Sequence, residues 1–249
     1  MPEQRLKVTL LEHTPDPEGL VAVAARSCYA RSSAAELKEK LKPEQREKLL
    51  KLLLNGGHHS PVEHASFTFV IEGISRSCSH QLVRHRLASY SQQSQRYVGA
   101  NNFGYIIPPS IIRNQELKEL FIKEMEKISQ SYQFMVEKLK EIGRSAEQAQ
   151  EDARFLLPNA AETKITMTMN ARELIQAANL RLCLRAQWEI RKLFSTLKKE
   201  VSRVAPTFAS YMVPKCDPHI LGYCPEGKLA CHWVERGLVR LKEDVVGTT

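Results

Sequence analysis

Residues 116–142 constrain the chain more than any other stretch. Apolar side chains fall at Leu117, Phe121, Met125, Ile128, Tyr132, Met135, Leu139 and Ile142. That near-heptad spacing predicts one long helix packed against other helices, and Gly143 ends it. Such a helix is also where part of a subunit interface is expected.

Around this helix the pattern changes period several times. Lys7 to Leu11 alternates as a strand, and Pro15, Pro17 and Gly19 mark the turn after it. Residues 19–30 and 34–54 read as helices, the second stopped by Asn55-Gly56-Gly57. Phe67, Phe69 and Ile71 alternate with polar or smaller neighbours, which predicts a strand with one buried face. From Ser75 the period turns helical through Cys78 and Leu82. Arg84 to Tyr97 reads as too polar and irregular for a core element, and Asn101 to Pro109 as a loop.

A helix from Ser145 stops before Pro158, and Lys164 to Met169 alternates as a strand. Asn170 and Glu173 then form a capping-box-like pair ahead of a helix predicted to run to about Arg203. Neither repeats nor a low-complexity linker divide the chain. The expected architecture is α+β, a single interwoven domain over residues 1–249 with a β-sheet flanked by long helices.

Composition narrows the class. The 249 residues are 43% hydrophobic and 26% charged, ordinary for a globular protein, which excludes disorder and collagen-like repeats. No apolar run approaches a membrane span, and Met-Pro-Glu-Gln-Arg-Leu-Lys lacks an apolar signal core, so a cytoplasmic protein with reduced thiols is expected. The net charge of +8 favours an anionic partner.

That charge has a focus. Between Glu72 and Glu116 lie 43 residues without Asp, Glu or Lys, but with Arg76, Arg84, Arg86, Arg96 and Arg113. Arginine without lysine suits bidentate anion binding better than a diffuse positive surface. If the helix from Ser75 reaches Arg84, then Gln81, Arg84 and His85 share a face, with Gln81 able to read a base and Arg84 a phosphate. Further on, Arg154 precedes Pro158, and Arg172, Arg181 and Arg185 lie on the last long helix.

The run Arg84-His85-Arg86-Leu87-Ala88-Ser89-Tyr90-Ser91-Gln92-Gln93-Ser94-Gln95-Arg96-Tyr97 resembles the signature of the flavin-dependent thymidylate synthases. Similar segments follow in family order: Ala25-Arg26, Ser60-Pro61 with Glu63-His64, Ala153-Arg154 with Leu157-Pro158, Asn170-Ala171-Arg172, Asn179-Leu180-Arg181, and Ala186 to Ile190. The resemblance implies that family's fold and the reductive methylation of dUMP to dTMP. It implies FAD as bound cofactor, 5,10-methylenetetrahydrofolate as carbon donor, NADPH as reductant, and a homotetramer with shared active sites.

By position, the resemblance implies that Ser60, Glu63, Arg84, His85, Arg86, Gln92, Asn170, Arg172 and Gln176 hold FAD. It likewise implies that Gln81, Arg84, Gln92, Gln93, Ser94, Gln95, Arg96, Arg154 and Arg181 hold dUMP, with Arg181 the catalytic residue that favours ionisation at N3. Ser94 has no base at a recognisable spacing and is expected to bind rather than attack. Two positions depart from the family: Ser91-Gln92 stands where many members have Asn-Glu, and Arg185 where some carry His.

Cys216, His219, Cys224, Cys231 and His232 carry zinc-ligating groups without the spacing of a standard finger, so no bound metal is expected, and the cysteines read as reduced structural residues or as one disulfide in an oxidising preparation. His58, His59 and His64 read as packing and hydrogen-bonding residues. Two rival functions fit parts of the pattern. One is a single-strand nucleic-acid-binding module stacking bases on Tyr90, Phe103, Tyr97 and Tyr105. The other is a flavoprotein acting on a different pyrimidine. Neither a nucleic acid nor a membrane is the expected partner.

Overall fold

In a computed structural model, residues 2–242 are described, so Met1 and residues 243–249 of the expected 1–249 domain lie outside that account. In chain order the elements are β1 (Lys7–His13), α1 (Pro17–Ser27), α2 (Ala34–Lys40), α3 (Pro43–Asn55), β2 (Ser66–Ser75), α4 (Arg76–Leu82) and β3 (Ala88–Gln92). Then come α5 (Pro109–Ile112), α6 (Gln115–Glu141), α7 (Ala146–Ala153), β4 (Glu162–Asn170), α8 (Ala171–Arg181), α9 (Trp188–Ser202) and α10 (Pro206–Tyr211). A short pair, β5 (Tyr223–Cys224) and β6 (Arg240–Leu241), with α11 (His232–Glu235) between them, completes the list. The main sheet has strand order β1-β2-β4-β3, so the expected mixture of a sheet with long helices is present.

Several boundaries differ from the sequence reading, each for a physical reason. The helix expected over 34–54 breaks at Leu41 and Lys42, which are extended because Pro43 opens α3 and disfavours helical backbone before it. The polar run after Arg84 is not irregular throughout: Ala88–Gln92 is β3, on the edge of the sheet beside β4. Its edge position lets polar side chains alternate outward without cost. The helix expected to reach Arg203 stops at Arg181. Gln187 then caps α9 by accepting from the Glu189 and Ile190 amides, and Arg191 Nη1 donates to the Leu184 carbonyl at 2.7 Å, holding the intervening turn.

The chain folds into two compact units, each assembled from separate stretches of sequence. The first contains Met1–Lys7, Val70–Arg84 and Tyr90–Met167. Its core joins Phe103, Tyr105, Ile107, Met125 and Ala161, with a second cluster of Tyr132, Val136, Ala149 and Ala153. The loop expected at 101–109 therefore supplies core: Tyr105 bridges Glu3 on one side and Ala161 on the other. Gln4 N–H donates to the Tyr105 carbonyl at 3.0 Å, and Tyr105 N–H donates to the Pro2 carbonyl at 3.4 Å. Gly73, at φ 66°, makes room for this start of the chain, because a Cβ there would lie 2.0 Å from the Arg5 carbonyl oxygen.

Helix α6 buries Met125, Ser129, Tyr132 and Val136, while Leu117, Met135 and Ile142 of the expected stripe are exposed. A straight helix drifts about 20° per heptad against a seven-residue repeat, so the stripe rotates off the packed face.

The second unit contains Val8–Phe69, His85–Ser89 and Thr168–Thr249. Helix α1 packs on α2 and α3, and α10 packs on α8 and α9. Val21, Leu50, Phe194 and Leu197 are wholly buried here, each contributing roughly 1.5–3 kcal/mol by leaving water. The Glu18 carboxylate accepts from Phe208 N–H at 3.1 Å and from the Thr207 hydroxyl at 2.9 Å, tying α1 to the start of α10.

Candidate active site

In the first unit, Ser75 caps α4 by accepting from Cys78 N–H at 3.0 Å. The helix ends at Leu82, so Arg84 lies beyond it, and the expected continuous face of Gln81, Arg84 and His85 does not form. Gln81 stays on the helix, its amide donating to the Ser77 carbonyl at 3.5 Å. At the end of β3, Gln92 Nε2 donates to both Ser79 Oγ and Thr163 Oγ1 at 3.0 Å. Both amide hydrogens are thereby used inside the protein, leaving the Gln92 carbonyl oxygen as its acceptor.

Gln93, Ser94 and Gln95 follow on the turn, where Ser94 Oγ accepts from Arg96 N–H at 3.2 Å. Arg96 Nη2 pairs with Glu147 at 2.8 Å and Glu151 at 3.2 Å, yet its Nε is buried with no hydrogen-bond partner among the described residues. Arg154 begins the 3-10 turn Arg154–Leu156. Burial, then the nearby Arg154 charge, holds the Arg76 guanidinium below its usual range. Two like charges brought together in this way ask for an anion. Sequence reasoning missed Ser79, Thr163 and the approach of Arg76 to Arg154, because each depends on contacts distant along the chain.

In the second unit, Arg181 is the last residue of α8 and donates through Nε to His85 Nε2 at 2.9 Å. His85 Nδ1 lies 3.6 Å from Glu173 Oε1, and both side chains are less than 10% exposed. The Phe194 ring covers the imidazole at a centroid distance of 5.8 Å. Burial, then the Arg181 charge, pushes the His85 pKa down to about 4, so the ring is neutral at pH 7. Burial raises the Glu173 carboxyl, with the Arg172 charge opposing. The expected capping box is half formed: Asn170 Oδ1 accepts from Glu173 N–H at 2.9 Å, but the Glu173 carboxylate faces His85. Only the cap was legible in sequence; the buried role of Glu173 was not.

Arg172 pairs with Glu63 through Nη1. Arg172 and Gln176 line a cavity of about 380 Å³, and Ser60 lines another of about 430 Å³ together with Arg26, Cys28 and His58. Arg84 and Arg86 are exposed, and among the described residues no ion pair is formed by either or by Arg154. A third cavity, about 240 Å³, brings Cys183, Cys216, Cys224 and Cys231 together beside Arg181 and Arg185. Burial, then the neighbouring thiols, raises the Cys216 pKa. Among the described residues no three His, Cys, Asp or Glu side chains are arranged to hold a metal. Arg185 pairs with Glu226.

The fold is similar to that of a UMP/dUMP methylase, PolB, from Streptomyces cacaoi in a crystal structure with 5-Br dUMP. The TM-score is 0.72 over 88% of this chain and 98% of that one, at 22% identity. The fold class is therefore that of PolB. Residues 9–207 match the family described as Thymidylate synthase complementing protein, and the chain belongs to that family.

Its sequence is 50% identical over 228 residues to the flavin-dependent thymidylate synthase of Geobacter sulfurreducens, covering 91% of this chain and 94% of that one. It is 47% identical over 234 residues to that of Clostridium tetani, covering 91% and 93%. With that of Pyrococcus furiosus the identity is 41% over 232 residues, covering 90% and 91%. The single-strand-binding alternative loses its support, since Phe103 and Tyr105 are buried core residues and Tyr90 donates its hydroxyl to the Leu82 carbonyl. Among the described residues no helix is long and apolar enough to cross a membrane.

Proposed function

We propose that the protein is a flavin-dependent thymidylate synthase. It methylates dUMP reductively to dTMP, with 5,10-methylenetetrahydrofolate as carbon donor and NADPH as reductant. The observation that carries this reading is the set Arg84, Arg86 and Arg154, guanidiniums without an ion pair among the described residues in a protein of this family. Such unsatisfied positive charge suits ligands that are all anionic.

The nucleotide is assigned to Gln81, Arg84, the run Gln92, Gln93, Ser94, Gln95 and Arg96, and to Arg154 and Arg181. The Arg96 Nε, buried and without a hydrogen-bond partner among the described residues, supports a ligand acceptor there. FAD is assigned to Ser60, Glu63, Arg84, His85, Arg86, Gln92, Asn170, Arg172 and Gln176, a donor-rich set that matches its phosphates and polar ring edge. For His85 the contact falls to the backbone, because its ring faces Arg181 and Glu173. When bound, FAD supplies the redox chemistry that carries electrons from NADPH to the transferred carbon.

Arg181 carries the protein's own catalytic part. C5 of uracil is a poor nucleophile until negative charge builds on the ring. A guanidinium held at the N3 edge stabilises that charge, worth on the order of 3–4 kcal/mol for a preorganised donor. Arginine stays protonated at any working pH, so it stabilises the anion rather than accepting the N3 proton.

Residues 1–249 are proposed to act as one domain, since β2 and β4 each contribute to both compact units. The exposed Leu117, Leu120, Phe134 and Met135 on α6 support assembly into the expected homotetramer. Six free cysteines suit a reducing cytoplasm. The test is a visible absorption spectrum of FAD-supplemented protein titrated with dUMP, followed by a dTMP assay with NADPH and methylenetetrahydrofolate. A flavin band that shifts saturably with dUMP, and dTMP formed, support the synthase. A protein that binds no FAD overturns it, and turnover of another pyrimidine monophosphate instead of dUMP moves the activity to that substrate.

A further inference from the structure

The geometry points to Glu173 and His85 as positioning residues that set the plane of the Arg181 guanidinium against the pyrimidine. The inference rests on the reading of Arg181 given above and adds what holds that side chain in place. Arg181 ends α8, and a side chain at a helix terminus has several open rotamers. The 2.9 Å bond from its Nε to His85 Nε2 removes most of them. Because a guanidinium is planar, fixing Nε fixes the direction of both terminal nitrogens.

The anchor is a side chain and not a carboxylate. Arg96 meets Glu147 and Glu151, Arg172 meets Glu63, and Arg46 meets Asp16, while Arg46 Nε and Arg191 Nη1 donate to the backbone carbonyls of Leu41 and Leu184. At the Nε of Arg181 the acceptor is a neutral ring. An Nε2 that accepts must leave the ring proton on Nδ1. Nδ1 lies 3.6 Å from Glu173 Oε1, inside the protein and under Phe194. Glu173 thus selects the tautomer, the tautomer provides the acceptor, and the acceptor orients the guanidinium. At 3.6 Å the Glu173 contact biases the ring electrostatically and is longer than a hydrogen bond.

The experiment compares wild type, Arg181→Ala, His85→Leu, His85→Gln, Glu173→Gln and the double variant His85→Leu/Arg181→Ala, all FAD-loaded. In His85→Leu, kcat falls by about 100-fold, as for a catalytic group displaced by about 1 Å, while the KM for dUMP changes by less than about threefold. His85→Gln, whose amide oxygen can accept from Nε, recovers to within roughly fivefold of wild type, and Glu173→Gln falls between the two. The double variant is no slower than Arg181→Ala alone, since residues acting as a unit are not additive.

A binding readout accompanies the rates. Fluorine at C5 acidifies N3, so calorimetry should show wild type preferring 5-fluoro-dUMP over dUMP, and His85→Leu losing that preference by about tenfold. Full activity in His85→Leu, or independent losses in the double variant, overturns the positioning role while leaving the synthase intact. Unchanged kcat in Arg181→Ala overturns the Arg181 reading itself. If His85→Leu does not fold, His85→Gln and Glu173→Gln still decide: equal, large losses in kcat for both isosteres overturn the inference.

Discussion

Arg96 and Arg181 are two arginines proposed to bind the same nucleotide, and the protein holds them in opposite ways. Arg96 is about 38% exposed and meets two glutamates, whereas Arg181 meets a buried neutral imidazole. A carboxylate partner in water is worth at most about 1 kcal/mol and can be exchanged for another anion. A neutral acceptor orients a guanidinium without cancelling charge at the point of contact. In the proposed reading, that contrast suits the first arginine to capture and release, and the second to stay fixed while charge develops beside it.

The largest expected effect breaks the Arg181 side of this contrast. Arg181→Ala should slow dTMP formation by about 10²–10³-fold, equivalent to roughly 3–4 kcal/mol, with little change in thermal stability. Steady-state assays beside melting curves check both. Lysine should not restore the rate, because it lacks both the Nε that donates to His85 and the planar guanidinium that this bond orients.

Acid acts on the Arg181 anchor through His85. His85 titrates near 4 in the folded protein against an ordinary 6.5, so between those values the unfolded chain binds more protons. Its contribution to stability is therefore present above pH 6.5 and is lost as pH falls toward 4, by up to about 3 kcal/mol. Glu173, raised by burial, works in the opposite sense, so denaturant melts of wild type and His85→Gln at each pH isolate the imidazole. The advantage of wild type over the variant should shrink steadily on acidification. A constant gap would mean that the ring is not neutral when folded.

Glu18 supplies a control away from the nucleotide. Its carboxylate accepts from the Thr207 hydroxyl and the Phe208 amide, so Glu18→Ala should cost about 1–3 kcal/mol of stability and leave kcat alone. Smallest of all, Glu147→Gln with Glu151→Gln should move stability by less than about 1 kcal/mol, since both pairs are exposed. The same change should lower the KM for dUMP severalfold by freeing Arg96, read in the dTMP assay. An increase in KM would show the glutamates to be orienting Arg96 instead of competing for it.

Much of this was legible in the sequence wherever period and capping speak locally. The length of α6, the strand through Phe67, Phe69 and Ile71, and the Asn170 cap all follow from spacing over a few residues. The acid-free run marked the segment now proposed to bind anions. What escaped depends on partners far along the chain. β3 exists because β4 pairs with it, and Gln92 finds Thr163 across 71 residues. Glu173 looked like half of a capping box because its other role needs His85, which precedes it by 88 positions. The break after Arg181 was hidden because no Gly or Pro marks it; the Gln187 cap and Arg191 make it.

Gly73 has one more consequence, for how the chain begins. By letting Arg5 pass without a Cβ in the way, it allows residues 2–5 to lie along Tyr105 as a short cover held by two backbone hydrogen bonds. The Tyr105 amide hydrogen then becomes a reporter for that cover. It exchanges slowly with solvent deuterium while the Pro2 carbonyl accepts it, and quickly once the start of the chain is trimmed or displaced by a fused tag.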